Sequence, residues 1–179
     1  MLHGRIARLH VYAASTTSIA VPATRPGFRF RYLADVQLRS LRADPAFCAR
    51  QLERLHRFGA SYAYAVYISD TLAHISWLLP ASVLAIDEPR VFRAMAHEAE
   101  ITACETLPEF RGQGVYPFAI GHVCAVAKEQ GVQRIFMKTN PTNAASRAGI
   151  MKAGLQLVGS AWLINVPRTP RAFVLRQFR

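Results

Sequence analysis

Residues 106–116, Thr-Leu-Pro-Glu-Phe-Arg-Gly-Gln-Gly-Val-Tyr, hold the pattern with the clearest chemical use in this 179-residue chain. The run Glu98 to Thr106 predicts a strand, and the apolar run from Val115 to Gln130 predicts a helix. Between them stand Arg111-Gly112-Gln113-Gly114. Glycines at such a junction let several backbone N–H groups converge, and the helix N-terminus adds partial positive charge. Arg111 supplies a full charge beside them. Together they would make a cradle for a diphosphate. The loop is not a Walker A motif, because no Gly-Lys-Ser/Thr follows. It is not a dinucleotide fingerprint either, because a third spaced glycine and a downstream acid are missing.

The elements around the loop can be read from local signals. Arg5 to Tyr12 alternates as a strand would, so residues 1–24 are an extra strand or a variable N-terminal extension. Phe28 to Tyr32 alternates as well, and Asp35 is placed to cap a short helix ending near Arg42. Asp44-Pro45 reads as N-cap and first residue of a helix that Gly59 stops. On that helix Arg50, Arg54 and Arg57 are spaced i, i+4 and i+7, which predicts a solvated face. Tyr62 to Ile68 and Thr71 to Leu79 form a hairpin turning at Ser69-Asp70, and residues 80–97 are mixed, with Pro80 and Pro89 as breakers. After the loop and its helix come a strand over Arg134–Thr139, a turn at Asn140–Asn143, and a helix from Ala144 to Ala153 ended by Gly154. Two closing strands follow, Leu155 to Val166 and Arg171 to Phe178. This order predicts an α/β (α+β) layer architecture with a mixed sheet.

Thr106–Tyr116 resembles the acetyl-CoA-binding signature of the GCN5-related N-acetyltransferases, the GNAT superfamily, whose pattern is Arg/Gln-x-x-Gly-x-Gly/Ala. About thirty residues on, Asn143-Ala144-Ala145-Ser146 and Lys152-Ala153-Gly154-Leu155 resemble the next motif of that family. The resemblance covers residues 60–165 well and 25–60 by element order. It implies one domain over residues 25–179, with a mixed central sheet whose splayed strands are flanked by helices. It also implies that backbone amides of Arg111, Gly112, Gln113, Gly114, Val115 and Tyr116 bind the CoA diphosphate. The pantetheine arm would lie between strands 98–106 and 134–139, facing Cys104 and Thr106, with Asn143 and Ser146 on the other side. A strand amide near Cys104 would polarise the thioester carbonyl. Cys104 itself is read as a small buried hydrophobe rather than a nucleophile, because the family uses direct attack by an amine.

An acceptor amine arrives as an ammonium and attacks only when neutral, so a general base is expected. Glu100, eleven positions before Arg111, matches the catalytic glutamate of the histone-acetyltransferase branch, with Glu98 and Glu105 as alternatives. On a regular strand Glu98 and Glu100 share a face and Glu105 points to the other, unless a bulge intervenes. The same acids would also suit a surface strand edge, or an acidic cluster that holds a cationic acceptor. Two departures from the family pattern stand out. Tyr116 replaces the last small residue of the loop, and Ile150 stands where many relatives carry the tyrosine that protonates the leaving thiolate. Tyr116 or Ser146 would then have to serve, or the thiolate leaves unassisted, or catalysis is lost.

Composition limits the alternatives. The chain is 51% apolar and 18% charged, which is globular and excludes a disordered or collagen-like chain. Cys48, Cys104 and Cys124 are too sparse for a disulfide framework, and reduced thiols fit a cytoplasmic location. His74, His97 and His122 lack ligand spacing, so no metal is expected. The longest apolar stretch, Val115 to Ala127, is too short to span a bilayer. The net charge of +11 is uneven, with ten basic residues against three acidic in 1–62, four against eight in 63–130, and eight against none in 131–179. The expected activity is transfer of an acetyl or other acyl group from acyl-CoA to a primary amine of a small molecule, with a homodimer possible and nucleic acid an unlikely partner. The alternatives are a long-chain N-acyl amino acid synthase of the same fold and a catalytically silent CoA-binding or nucleic-acid-associated module.

Overall fold

The computed structural model describes residues 5–59, 62–84, 95–165 and 172–178. Val166 and Arg171, named above as strand ends, and Pro89 lie outside the described residues. Among the described residues eight strands form one mixed sheet: β1 (Arg5–Ser15), β2 (Phe28–Tyr32), β3 (Ala63–Ile68), β4 (Thr71–Pro80), β5 (Glu98–Thr106), β6 (Arg134–Thr139), β7 (Gln156–Asn165) and β8 (Ala172–Phe178). Their spatial order is β2-β3-β4-β5-β6-β1-β7-β8. The helices are α1 (Asp35–Arg39), α2 (Pro45–Phe58), the short α3 (Ala81–Leu84), α4 (Val115–Glu129) and α5 (Ala144–Lys152), with a 3-10 turn at Pro108–Phe110.

Helix starts follow capping chemistry. The Asp44 carboxylate accepts from the Phe47 N–H at 2.8 Å, and Pro45 occupies the first turn, where no amide donor is missed. α1 differs from expectation. Its N-cap is Ala34, whose N–H donates to the Gln37 side chain, and Asp35 is already inside the helix, bonding Arg39 one turn on. The helix ends at Arg39 rather than Arg42 because the Ser40 hydroxyl donates to the Val36 carbonyl and closes the last turn. At the hairpin, Ser69 and Asp70 both have positive φ, as a two-residue hairpin turn demands.

The sheet is covered on both faces. Phe47 and Leu55 of α2 and Leu38 of α1 pack with Trp77, Ile75 and Phe136 on one face. Ile120, Val123, Cys124 and Ala127 of α4, with Ile150 of α5, pack with Ile101, Ile135 and Met137 on the other. Burying each of these large side chains contributes roughly 1.5–3 kcal/mol. Trp162 is only partly buried, and the Arg8 guanidinium lies over its ring at 5.3 Å. His122 packs against the rings of Phe30 and Phe118.

Two irregularities create the site. β5 runs parallel to β6 but pairs with it only from Glu98 to Glu100, opposite Arg134 to Phe136. Beyond that point the two strands separate, while β1 stays paired to β6 along Arg134–Thr139 and holds its far edge. The second irregularity is a bulge. Ile75 of β4 pairs with Glu105, yet Trp77, two residues on, pairs with Thr102, three residues back. The extra residue falls at Ala103, whose φ is 49°. A left-handed alanine costs about 1–2 kcal/mol, which the surrounding sheet must offset.

Candidate functional site

The bulge decides which way the side chains of β5 point. Ala99 and Ile101 pack under α4. After the extra residue the parity reverses, so Cys104 packs toward α4 while Glu105 meets α2. Glu100 and Glu105, five positions apart, therefore share the α2 face, which the regular-strand reading would separate.

On the α4 face a cavity of about 670 Å³ opens where β5 leaves β6. Cys104, Glu105 and Thr106 line it from β5, the loop from Arg111 to Gly114 with Val115 and Tyr116 from one end, and Asn143, Ser146 and Gly149 from α5 and its cap. Gly112 and Gly114 have φ of 75° and 74°, a conformation that favours glycine. α4 starts directly after Gly114, and Pro117 in its first turn has no N–H to leave unbonded. The amides of that first turn lack intrahelical acceptors and point toward the loop. Arg111 folds back so that its Nε donates to the Thr106 carbonyl at 3.2 Å. Gln113 is the exception among the expected loop residues: its side chain donates to the Glu109 carbonyl, and it does not line the cavity. Asn143 caps α5 by accepting from the Ser146 N–H at 3.0 Å.

Three arrangements beside the cavity escaped the sequence reading. Arg25 donates from Nη1 to the Gln113 carbonyl at 3.0 Å, and stacks over the Phe28 ring. It is brought there because Pro22 packs against the bare face of Gly121 on α4, where a Cβ would come within 2.5 Å of the proline ring. Gly149 plays the same part for Tyr116, whose ring would lie 2.4 Å from a Cβ at that position. Tyr116 thus tucks its ring against α5, with its hydroxyl 3.4 Å from Ser146 Oγ and in hydrogen-bond contact with Cys104. Burial raises its ionisation far above the ordinary tyrosine value, so it stays protonated. Ile150 is wholly buried and carries no proton to give.

The third is His74, fully buried on β4. Its Nδ1 is 2.7 Å from Thr106 Oγ1 and its Nε2 is 2.6 Å from Ser76 Oγ. The Ser76 hydroxyl donates to Cys104 Sγ at 3.3 Å. Burial lowers the imidazole to about 3, so the ring is neutral and the chain of hydrogen bonds fixes the two cavity-facing side chains of the bulged strand. Cys104 is pushed up to about 11, chiefly by burial. A thiol so far from ionisation is not a nucleophile.

Of the three candidate acids, Glu105 and Glu100 are held closely by cations. Glu105 takes Arg50 through Nε (3.0 Å) and Nη2 (2.5 Å), Arg54 through Nη1 (2.9 Å), and the Gln51 amide (3.1 Å). Burial alone would raise its carboxyl, but the hydrogen bonds and charges of the two arginines outweigh it and hold it below the ordinary value. Arg50 and Arg57 are exposed, as a solvated helix face predicts, and Arg54 is half-buried; Arg50 and Arg54 pair from that face with Glu105. Glu100 is 1% exposed and pairs with Lys138 Nζ at 3.1 and 3.2 Å; burial raises its carboxyl and Lys138 pulls it partly back. Glu98 lies farther from the site, accepting from the Met95 N–H and facing Arg134.

The family model for the acetyltransferase (GNAT) family matches residues 39–154. The chain belongs to the GNAT acetyltransferase family. The mixed sheet with its parting of β5 from β6 is the fold that membership implies. Among solved structures it is similar to the GCN5-related glucosamine N-acetyltransferase region of a fungal multi-domain GH3 β-N-acetylglucosaminidase (10% identity, 88% of this chain and 21% of that one, TM-score 0.63). It is also similar to GNAT-family acetyltransferases from Novosphingobium aromaticivorans (20% identity, 89% and 64%, TM-score 0.60) and Colwellia psychrerythraea (14% identity, 99% and 57%, TM-score 0.60). The chain spans less than two thirds of each of these, and at such identities the likeness concerns the fold alone. No curated protein matches the sequence. Among the described residues no helix is long and apolar enough to cross a membrane.

Proposed function

We propose that this GNAT protein transfers an acetyl group from acetyl-CoA to a primary amine of a small-molecule acceptor by direct attack. The observation that carries the reading is the parting of β5 from β6 after Glu100, which opens beside the left-handed glycines of the loop. The loop amides and Arg25 suit a diphosphate, and the open edge of β5 leaves backbone groups for an extended amide-bearing arm. With the thioester near Cys104, a bulge amide would polarise its carbonyl as the amine nitrogen attacks and the C–S bond breaks. The departing thiolate needs a proton or a strong hydrogen bond, which the Tyr116 hydroxyl beside Cys104 would supply.

Of the two acids, Glu100 suits a base better than Glu105. Burial raises its proton affinity, whereas Glu105 is held ionised by two arginines. A proton from the acceptor reaches Glu100 by way of Lys138, its ion-pair partner. A second reading, a CoA-binding module without turnover, is favoured by both acids already being paired with cations.

Calorimetry with CoA, followed by free-thiol release from acetyl-CoA across a panel of primary amines, separates the two. Binding with amine-dependent release supports the transferase, and binding without release for any amine supports the silent module. For the transferase, Glu100→Gln should lower kcat while leaving acetyl-CoA affinity nearly unchanged. A variant as active as the parent from pH 6 to 9 would remove Glu100 as base.

A further inference from the structure

A second cavity, of about 320 Å³, lies on the α2 face of β5. Its walls are Arg50, Arg54 and Arg57 of α2 and Lys138 of β6, and the bulged stretch Thr102–Ala103 completes it. Glu53 is the acidic side chain on its lining. The cavity therefore meets β5 at the bulge, across the sheet from the space assigned to the thioester.

The charges there are arranged in an informative way. Glu105 and Glu100, the acids a cationic acceptor would seek, are bonded instead to Arg50, Arg54 and Lys138. Arg54 uses Nη1 for that bond and Arg50 uses Nε and Nη2. A guanidinium carries five N–H donors, so each fork keeps donors for a second oxyanion. Glu105 thus acts as a brace that holds two arginines in fixed orientation at the cavity wall, and Arg57 continues the row one turn on, its guanidinium over the Phe58 ring. A polyamine or other polycation entering here would meet cations first.

We infer that this cavity is the acceptor subsite and that the acceptor amine carries an oxyanion, a carboxylate or a phosphate, gripped by the α2 arginines so that the amine is presented at Ala103. The inference rests on the transferase reading and adds the acceptor class to it.

The test compares matched amines at saturating acetyl-CoA, read by thiol release: ethanolamine with O-phosphoethanolamine, leucinamide with leucine, and glucosamine with glucosamine 6-phosphate. The anionic member of at least one pair should have kcat/KM higher by about tenfold or more, and the preference should shrink as salt is raised. Whether it appears in the phosphate or the carboxylate pairs tells which oxyanion is read. Arg57→Gln, which leaves the Glu105 bonds in place, should narrow the ratio between the members of that pair; Arg54→Gln should narrow it further but also loosens the Glu105 brace. Equal or better turnover of the neutral members, or a best rate with spermidine, overturns the inference while leaving the transferase standing. Thiol release with none of the amines, despite acetyl-CoA binding, would instead sink the transferase reading, and this inference with it.

Discussion

On the α4 side of β5 the cavity is built largely of main chain: glycine-shaped amides, a helix start and an unpaired strand edge. On the α2 side it is built of long charged side chains locked to one another. The first kind of site is set by backbone conformation at a few positions and tolerates varied neighbours. The second depends on every member of an ion-pair network being present. That contrast teaches where each site is vulnerable: single conformational residues on one side, single charges on the other.

The largest effect is expected at Gly114. Its φ of 74° disfavours any side chain, and a Cβ there would meet Arg25 Nη1 at 3.1 Å. Gly114→Glu should weaken acetyl-CoA binding by about 100-fold or more, since its carboxylate also repels the diphosphate and competes for Arg25. Unchanged affinity by calorimetry would break the main-chain account of that side. Tyr116→Phe should lower kcat by about 100-fold, within the range for a positioned proton donor, with little change in affinity. A kcat equal to the parent's would leave Tyr116 as a ring packed on Gly149 instead.

The charged side predicts a stability effect. Glu105→Gln removes charge-assisted bonds to Arg50 and Arg54 and should cost about 1–3 kcal/mol, seen as a lower Tm at neutral pH. Because the folded carboxyl is held below 4.5, its contribution is present above that pH and is lost as pH falls through the depressed folded value. The parent should therefore lose its advantage over Glu105→Gln on acidification, and a constant gap down to pH 3 would contradict the network. Arg25→Ala should have the smallest effect, about 2- to 5-fold weaker CoA binding, because its side chain sits in an exposed setting. No loss for a pantetheine thioester lacking the diphosphate would sharpen the assignment to phosphate.

Much of the frame was legible because it is written in local signals. Asp44-Pro45, Gly59, Ser69-Asp70 and Gly154 each carry their instruction within a few residues, and so does the glycine loop. The features that were not legible arise from register. Glu105 faces α2 only because one extra residue enters β5 opposite β4, and no alternation pattern discloses where a strand will bulge. His74, Ser76 and Cys104 become a hydrogen-bonded chain only once β4 and β5 are paired. The room for Tyr116 depends on Gly149, thirty-three residues away. The missing tyrosine at Ile150 was visible, and so were Tyr116 and Ser146 as stand-ins; choosing between them needed the packing of two helices.

The place of β1 has a consequence for how the protein assembles. β1 pairs on one edge with residues 134–139 and on the other with residues 156–165. A ribosome makes this segment well before either neighbour, so it waits with both hydrogen-bonding edges bare until residues 134–165 have followed. Closure of such distant contacts slows folding. Refolding should accordingly be sluggish and concentration-sensitive, and trimming residues 5–15 should cost solubility even though no catalytic group is lost.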